Sequence, residues 1–264
     1  MKVGFIGLGN MASAIIGGIL KQGELTADNI IGSAPTEAAR QKAAEAFGIG
    51  VTPDNKAVAA DSDILFLAVK PQVIPHVIDE IRRDRKQEQL IISIVAGKSH
   101  AWYREAFGEE VKLVRTMPNT PALVGEAMTA VCPGEGVSQK EVDLVMHLLE
   151  SFGKAEVIPE KLMDAVVAVS GSSPAYVFMM IEAMADAAVK EGMPRAQAYK
   201  FAAQAVYGSA KMVLETGKHP GELKDMVCSP AGTTIEAVRV LEKEGFRSSV
   251  LEAMAACAEA SRRL

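Results

Sequence analysis

Two uncharged runs, ILFLAV at residues 64–69 and LIISIV at residues 90–95, constrain the fold of this chain more than any other feature. Each run has the length of a strand, and neither alternates between apolar and polar residues. Such runs are typical of strands that are covered on both faces, as in a parallel sheet with helical crossovers. We therefore predict a mainly parallel sheet with helices packed on both of its faces.

The alternation of strands and helices continues to about residue 155 and then stops. The predicted strands are residues 2–6, 29–33, 64–69, 90–95, 111–115 and 128–132, and the clearest helices are residues 11–22 and 37–47. From about residue 160 the pattern is helical and rich in Ala and Met, without a strand. The chain is therefore predicted to have an α/β domain at residues 1–158 and an all-α domain at residues 159–264.

A glycine-rich corner follows the first predicted strand and opens the first predicted helix. It reads GLGNMA and consists of Gly7, Leu8, Gly9, Asn10, Met11 and Ala12. The spacing matches the G-x-G-x-x-G/A fingerprint of a Rossmann-type domain, in which amides at the helix N-terminus face the phosphates of a dinucleotide. These six residues are predicted to bind the cofactor. A tight strand–helix corner without a ligand is the alternative.

The end of the second predicted strand indicates which dinucleotide is bound. An NAD site usually has an Asp or Glu there, but this chain continues from Ser33 to Thr36 without an acid. A carboxylate would repel the 2′-phosphate of NADP, whereas the hydroxyls of Ser33 and Thr36 can donate to it. Asn55 and Lys56, expected in the loop before the next helix, can join them. The sequence therefore favours NADP.

Two further loops are expected at the carboxyl edge of the sheet, where ligands of open α/β sheets bind. Ala68, Val69, Lys70 and Pro71 end the ILFLAV run, and we expect their backbone to line the cofactor ribose. Asn119 lies between two prolines that stiffen its loop, so its amide is predicted to point at the cofactor. The alternatives are that Lys70 is a solvated loop residue and that the loop containing Asn119 is a plain turn.

Charge and composition exclude several classes of protein. The formal net charge is −5 and no block of basic residues is present, which argues against a nucleic-acid surface. The three cysteines and four histidines are scattered, so no metal site is expected. The longest uncharged stretch, residues 165–181, contains GSSP, and we expect this interruption to prevent it from crossing a membrane. No signal segment is recognised, and a cytoplasmic location is expected.

The predicted helix that opens the second domain bears on the reaction. Hydroxyacid and phosphogluconate dehydrogenases share this two-domain plan and use a lysine early in that helix as the base that alcohol oxidation needs. Here residues 170–189 contain neither Lys nor His, and Lys190 lies roughly 25 Å along the helix. Hydride delivery to a protonated C=N bond needs no such base and fits better. A third interpretation is a dinucleotide-binding regulator without enzymatic activity. Polar loops such as MPNTPA in an otherwise apolar chain argue against it.

Six segments occur in an order and spacing that resemble the pyrroline-5-carboxylate reductase family. They are GLGNMASAI, FLAVKPQ, MPNTPA, SGSSPAY, HPGELKD and SPAGTTIEAV. The resemblance implies reduction of 1-pyrroline-5-carboxylate to L-proline with NADPH or NADH, the last step of proline biosynthesis. It implies a Rossmann domain and a helical dimerisation domain whose helices interlock in a homodimer, with decamers in some members. One departure is Ser173, where relatives often have Gly.

The segment SPAGTTIEAV, residues 229–238, is the expected substrate site. Thr233 and Glu236 have the spacing of a capping box, which is a structural role. This leaves the hydroxyl of Thr234 for the substrate nitrogen, while the helix N-terminus suits the substrate carboxylate. The resemblance points to the same threonine. Thr234 is therefore predicted to be catalytic, with Ser172, Ala231, Gly232 and Thr233 as further substrate contacts.

Overall fold

The computed structural model describes residues 1–263, which include one eight-stranded sheet. The strands are β1 (Val3–Ile6), β2 (Ile30–Ser33), β3 (Gly50–Thr52), β4 (Ile64–Leu67), β5 (Leu90–Ser93), β6 (Lys112–Met117), β7 (Ala127–Pro133) and β8 (Gly153–Val157). Their order across the sheet is β3-β2-β1-β4-β5-β6-β7-β8, and only the β6–β7 pair is antiparallel. The predicted mainly parallel, Rossmann-type sheet is confirmed.

Helices alternate with these strands and then follow one another without strands. The first group is α1 (Asn10–Gln22), α2 (Glu37–Phe47), α3 (Asn55–Asp61), α4 (Ile74–Ile81), α5 (His100–Phe107) and α6 (Gln139–Glu150). The second group is α7 (Met163–Val166), α8 (Ser173–Lys190), α9 (Arg195–Thr216), α10 (Pro220–Val227), α11 (Thr233–Lys243) and α12 (Phe246–Ser261). A turn of π-helix, Val167–Gly171, joins α7 to α8. The predicted all-helical second part is confirmed for the described residues.

The two apolar runs form the central strands because both of their faces are covered. All residues of β4 and β5 are buried. One face packs with Ile15 of α1 and Leu149 of α6, and the other with Ile78 of α4 and Tyr103 of α5. Burial of each large apolar side chain contributes about 1.5–3 kcal/mol, so this core supplies the main stabilisation of the sheet.

Two edge strands, β3 and β8, have no counterpart among the predicted strands. Neither contains a buried residue, and β8 reads GKAEV. β3 forms because it pairs with β2, and β8 forms because it pairs with β7. Neither strand has an apolar pattern that would predict it. A hydrophobic run is therefore a sufficient signal for a central strand but not a necessary one for an edge strand.

The chain divides into two compact units. Unit 1 comprises Met1–Ser172 and the C-terminal residues from Cys257, and unit 2 comprises Ser173–Ala256. The division follows Ser172 rather than residue 158 because the segment after β8 packs with unit 1. Met163 and Ala168 are buried there.

Unit 2 consists of helices and buries little of its own apolar surface. Its buried residues are the alanines Ala185, Ala198 and Ala202, on α8 and α9. Large apolar side chains are exposed instead, including Leu214 at 85% and Met179 at 69%. Unit 2 of a single chain therefore leaves most of its large apolar side chains in contact with solvent.

The helical run Glu160–Lys190 is, among the described residues, long and apolar enough by length and composition to cross a membrane. The expectation that GSSP would interrupt this run is wrong, because the π-helical turn carries the chain directly into α8. Only 6% of the most apolar window is buried within the single chain. Length and composition do not distinguish a membrane segment from a helix that packs against protein.

Candidate functional site

The corner between β1 and α1 is built to bring a ligand against its backbone. Gly7 has φ 97°, and a Cβ there would lie 2.4 Å from the carbonyl oxygen of Ala68, so only glycine fits. Gly9 is the N-cap of α1, and a Cβ there would meet no protein atom within 4 Å. Protein packing therefore does not require glycine at Gly9, whereas close approach of a ligand does.

Among the described residues, no side chain caps the amides at the N-terminus of α1. Gly9 provides no side-chain cap, and the first turn contains no acidic residue. Unpaired amides and the helix dipole together favour a bound anion such as a pyrophosphate. The predicted residue Ala12 is buried beneath this corner, with a relative exposure of 1%.

A cavity of about 840 Å³ lies at the carboxyl edge of the sheet in unit 1. Its wall includes nine of the predicted cofactor residues, namely Gly7, Leu8, Gly9, Asn10, Met11, Ala68, Val69, Lys70 and Pro71. The sequence analysis missed Ala34, Pro35, Ala39, Val73, Ile94, Val95, Ala96, Pro118, Thr120 and Leu123. The end of β5 could have been found, because the rule that selects the end of β4 applies to every parallel strand of the sheet.

Ser33 and Asn55 lie beside the cavity but do not line it. The Ser33 side chain is fully buried, and its Oγ donates to Oδ1 of Asn55 at 2.7 Å. The Nδ2 of Asn55 donates in turn to Oε2 of Glu80 at 2.8 Å. Both predicted donors are therefore held within the protein.

The expectation that Asn55 and Lys56 lie in a loop is wrong. They begin α3, because the Asp54 carboxylate caps this helix by accepting from the Lys56 and Ala57 amides. The Lys56 ammonium lies 3.6 Å from the Asp84 carboxylate. Thr36, by contrast, caps α2 and lines the cavity.

Asn119 joins two segments of unit 1 through its side-chain amide. Its Oδ1 accepts from the Met128 amide at 3.0 Å, and its Nδ2 donates to the Ser170 carbonyl at 3.1 Å. The Ser170 hydroxyl donates to the Met128 carbonyl at 3.3 Å and closes the ring of contacts. Asn119 thus holds the π-helical turn, and π-helical turns are frequent at functional sites.

Glu160, in the segment that follows β8, binds two groups of unit 1. Its carboxylate accepts from the His100 amide and from the Arg115 guanidinium, which is buried. Burial opposes ionisation of Glu160, but these hydrogen bonds outweigh it and hold the pKa of its carboxyl below the ordinary value. Burial also lowers the pKa of the His100 imidazole. The contacts anchor the segment that leads to the π-helical turn.

The predicted substrate residues around Thr234 lie at the start of α11 in unit 2. The capping box predicted for Thr233 is wrong, because Gly232 is the N-cap and Thr233 is already helical. Glu236 pairs with Arg239 at 2.9 Å instead of returning to the helix start. With no side-chain cap, the amides of Thr233 and Thr234 keep their hydrogen-bonding capacity.

The turn before α11 has a strained backbone. Ala231 has φ 54° and is the non-glycine residue with positive φ among residues 1–263. The Gly232 amide donates to the Ser229 carbonyl at 3.0 Å, so that amide is committed within the turn. A Cβ at Gly232 would lie 2.3 Å from the Ser229 hydroxyl. Strain of this kind recurs at ligand sites, where the backbone must point in one direction.

Ser172, the remaining predicted substrate residue, ends the π-helical turn. Its hydroxyl accepts from the Cys257 thiol at 3.2 Å, and its amide donates to the Val167 carbonyl at 2.8 Å.

Within residues 1–263, no group of His, Cys, Asp and Glu side chains is arranged to hold a metal ion.

Two family descriptions match successive parts of the chain. "NADP oxidoreductase coenzyme F420-dependent" matches residues 2–97, and "Pyrroline-5-carboxylate reductase dimerisation" matches residues 160–264. The first match contains the glycine-rich corner, and the second contains the turn before α11.

Relatives match over the whole chain. A pyrroline-5-carboxylate reductase from Escherichia coli is 53% identical over 263 residues, which are 100% of this chain and 98% of the relative. One from Methanosarcina acetivorans is 45% identical over 263 residues, 100% of this chain and 97% of the relative. The crystal structure of the Plasmodium falciparum pyrroline carboxylate reductase with NADP bound has a TM-score of 0.92 and 33% identity, covering 100% of this chain and 97% of that one.

Proposed function

The chain belongs to the pyrroline-5-carboxylate reductase family, and we infer that it reduces 1-pyrroline-5-carboxylate to L-proline with NAD(P)H. The observation that carries this function is the 53% identity along the whole chain, which includes both the glycine-rich corner and the turn before α11. The reaction is the last step of proline biosynthesis. It adds a hydride to the carbon of the C=N bond and converts the ring nitrogen to an amine.

The residues of unit 1 fit a bound NADP. The uncapped amides of α1 suit its pyrophosphate, and the open space around Gly9 allows the phosphate to approach the backbone. The reduced nicotinamide supplies the hydride when it is bound. We assign cofactor binding to residues 1–158, and substrate binding and dimerisation to residues 159–264.

The start of α11 is the proposed substrate site. The Thr233 and Thr234 amides suit the substrate carboxylate, and hydrogen bonds to a charged group contribute about 1.5–3 kcal/mol each. The Thr234 hydroxyl, half-buried and without a hydrogen-bond partner among the described residues, then orients the ring nitrogen. It accepts from the iminium N–H before reduction and donates to the amine afterwards. Ala231, Gly232 and Ser172 remain predicted substrate contacts.

The sequence of α8 supports imine reduction over alcohol oxidation. The helix presents no Lys or His before its last residue, Lys190. A 3-hydroxyacid dehydrogenase would need a base near the start of that helix. Reduction of an already protonated imine needs orientation by the protein and a hydride from the reduced nicotinamide, and neither requires such a base.

The helical part of the chain is a dimerisation domain, and its exposed apolar surface is what such a domain has to bury. A shallow groove of about 520 Å³ on α8 and α9 is lined by apolar side chains including Phe178, Met179 and Tyr199. We propose that a second copy interlocks with this surface and also covers the apolar run that ends at Lys190. Assembly into decamers and a cytoplasmic location remain predictions.

Thr234 variants test the proposed chemistry. We expect Thr234→Ala to lower kcat/KM for pyrroline-5-carboxylate by about 10-fold or more, because one hydrogen bond to a charged group is lost. NADPH binding, measured by fluorescence titration without substrate, should stay unchanged. Thr234→Ser keeps the hydroxyl and should retain most of the activity. Activity of the alanine variant within about twofold of the wild type would exclude the role.

A further inference from the structure

The corner between β2 and α2 forms part of the cavity wall through Ala34, Pro35 and Thr36. In a Rossmann-type domain this corner lies beside the adenosine ribose, where NADP carries a 2′-phosphate and NAD a hydroxyl. Ala34, Pro35 and Thr36, which follow β2, carry no carboxylate to accept from a ribose hydroxyl. Recognition of the phosphate therefore requires donors or a cation near these residues.

The polar groups first predicted for this task are occupied. Ser33 is fully buried and donates to Asn55, whose own amide donates to Glu80. Lys56 is paired with Asp84. Thr36 keeps its hydroxyl at the cavity wall, and a cation for the phosphate has to come from α2.

Arg40 provides that cation. Its side chain folds back from the first turns of α2, and Nη1 donates to the Ala34 carbonyl at 2.8 Å and to the Pro35 carbonyl at 3.0 Å. These two carbonyls belong to residues that line the cavity, so Nη1 of Arg40 lies next to the cavity wall. Its Nε and Nη2 have no hydrogen-bond partner among residues 1–263.

The chemistry of this arrangement suits a phosphate. A guanidinium is always charged and presents its donors as a rigid planar fork, which matches a phosphate better than an ammonium does. Two backbone contacts already restrict the half-buried Arg40 side chain, so less conformational entropy is lost when a ligand binds. Thr36 adds a hydroxyl at the cavity wall, and its oxygen also accepts from the Ala39 amide at 3.4 Å.

Acidic groups near the corner do not cancel this charge. The Glu80 carboxylate is bound by Asn55, and Asp54 is used as the cap of α3. Glu37, the first residue of α2, is exposed and is free to turn towards solvent. The structure therefore leaves Arg40 as the cation held at the adenosine end of the site.

We propose that Arg40 is the residue that selects NADP over NAD by binding the 2′-phosphate. The proposal rests on the proposed function and deepens it, because it names the group that sets cofactor preference. Arg40 does not contact the reacting atoms, so its effect falls on cofactor affinity and not on the hydride step.

Calorimetric titration with two adenosine fragments tests the proposal without turnover, so its outcome is independent of the reductase activity. The variant is Arg40→Met, and the control is Lys42→Met, which removes an exposed cation from the same helix. We expect Arg40→Met to weaken 2′,5′-ADP binding by about 10- to 100-fold while 5′-AMP binding changes by less than about twofold. Lys42→Met should change neither.

An equal loss for both fragments would show that Arg40 only supports the corner, and an unchanged 2′,5′-ADP affinity would show that it has no role there. Either result overturns the proposal. If Arg40→Met does not fold, Arg40→Lys serves instead, because it keeps a charge but loses the fork. The lysine variant should weaken 2′,5′-ADP selectively and by a smaller factor, and equal weakening of 5′-AMP would again contradict the proposal.

Discussion

Replacing Ala231 with glycine tests whether the turn before α11 is strained. Ala231 has φ 54°, where a Cβ crowds the following carbonyl at a cost of about 1–2 kcal/mol. Glycine removes that cost but adds about 0.4–1 kcal/mol of entropy to the unfolded chain. Ala231 is exposed, so no buried methyl is lost. The net expectation is a gain of about 0.5–1 kcal/mol in the free energy of unfolding.

Urea unfolding of the cofactor-free protein measures this gain, at one fixed protein concentration because the chain contains a dimerisation domain. The matched control is Ala46→Gly, since Ala46 is also exposed but lies within α2. That substitution should lower the free energy of unfolding by about 0.5–1 kcal/mol. The two alanine-to-glycine changes are thus expected to have opposite signs. If both destabilise the protein alike, Ala231 is not held in the left-handed region.

Two other substitutions give clear expectations. Gly9→Ala should lower the free energy of unfolding by less than about 1 kcal/mol, since alanine is a poorer N-cap than glycine but its Cβ meets no protein atom within 4 Å, whereas NADPH titration should show weaker binding at the crowded backbone. Glu160→Gln should lower the free energy of unfolding at neutral pH by about 1–2 kcal/mol. Since the folded-state pKa values of Glu160 and His100 lie below their ordinary 4.5 and 6.5, wild-type stability should fall as pH drops below 6.5 and again below 4.5. In urea unfolding across pH, the difference between wild type and Glu160→Gln should therefore shrink below 4.5; a difference independent of pH would refute this role of the carboxylate.

The central part of the fold could be predicted because its signals are local. The runs at β4 and β5 and the spacing from Gly7 to Ala12 each lie within a few consecutive residues. The edge strand β8 could not be predicted in the same way, because its pairing depends on a partner strand and not on its own pattern.

The candidate site shows the same limit. The hydroxyl of Ser33 is predicted from the sequence to donate to the 2′-phosphate of NADP, and in the structure it donates to Asn55, which lies 22 positions later in the chain. For Thr233 the spacing to Glu236 suggested a cap, yet the helix begins one residue earlier than that pattern requires. Contacts between distant segments decide such cases, and a single sequence does not contain them.

The contact between Ser172 and Cys257 has a consequence for how the protein unfolds. Unit 2 begins directly after Ser172 and ends directly before Cys257. The Cys257 thiol and the Ser172 hydroxyl lie 3.2 Å apart, so both ends of unit 2 are close together. While unit 1 stays folded, a melted unit 2 is a closed ring of roughly 80 residues and not a free tail. By the entropy of ring closure, this restriction disfavours independent melting by about 4–5 kcal/mol. Folded unit 1 therefore stabilises unit 2 by keeping the two ends of its chain segment together.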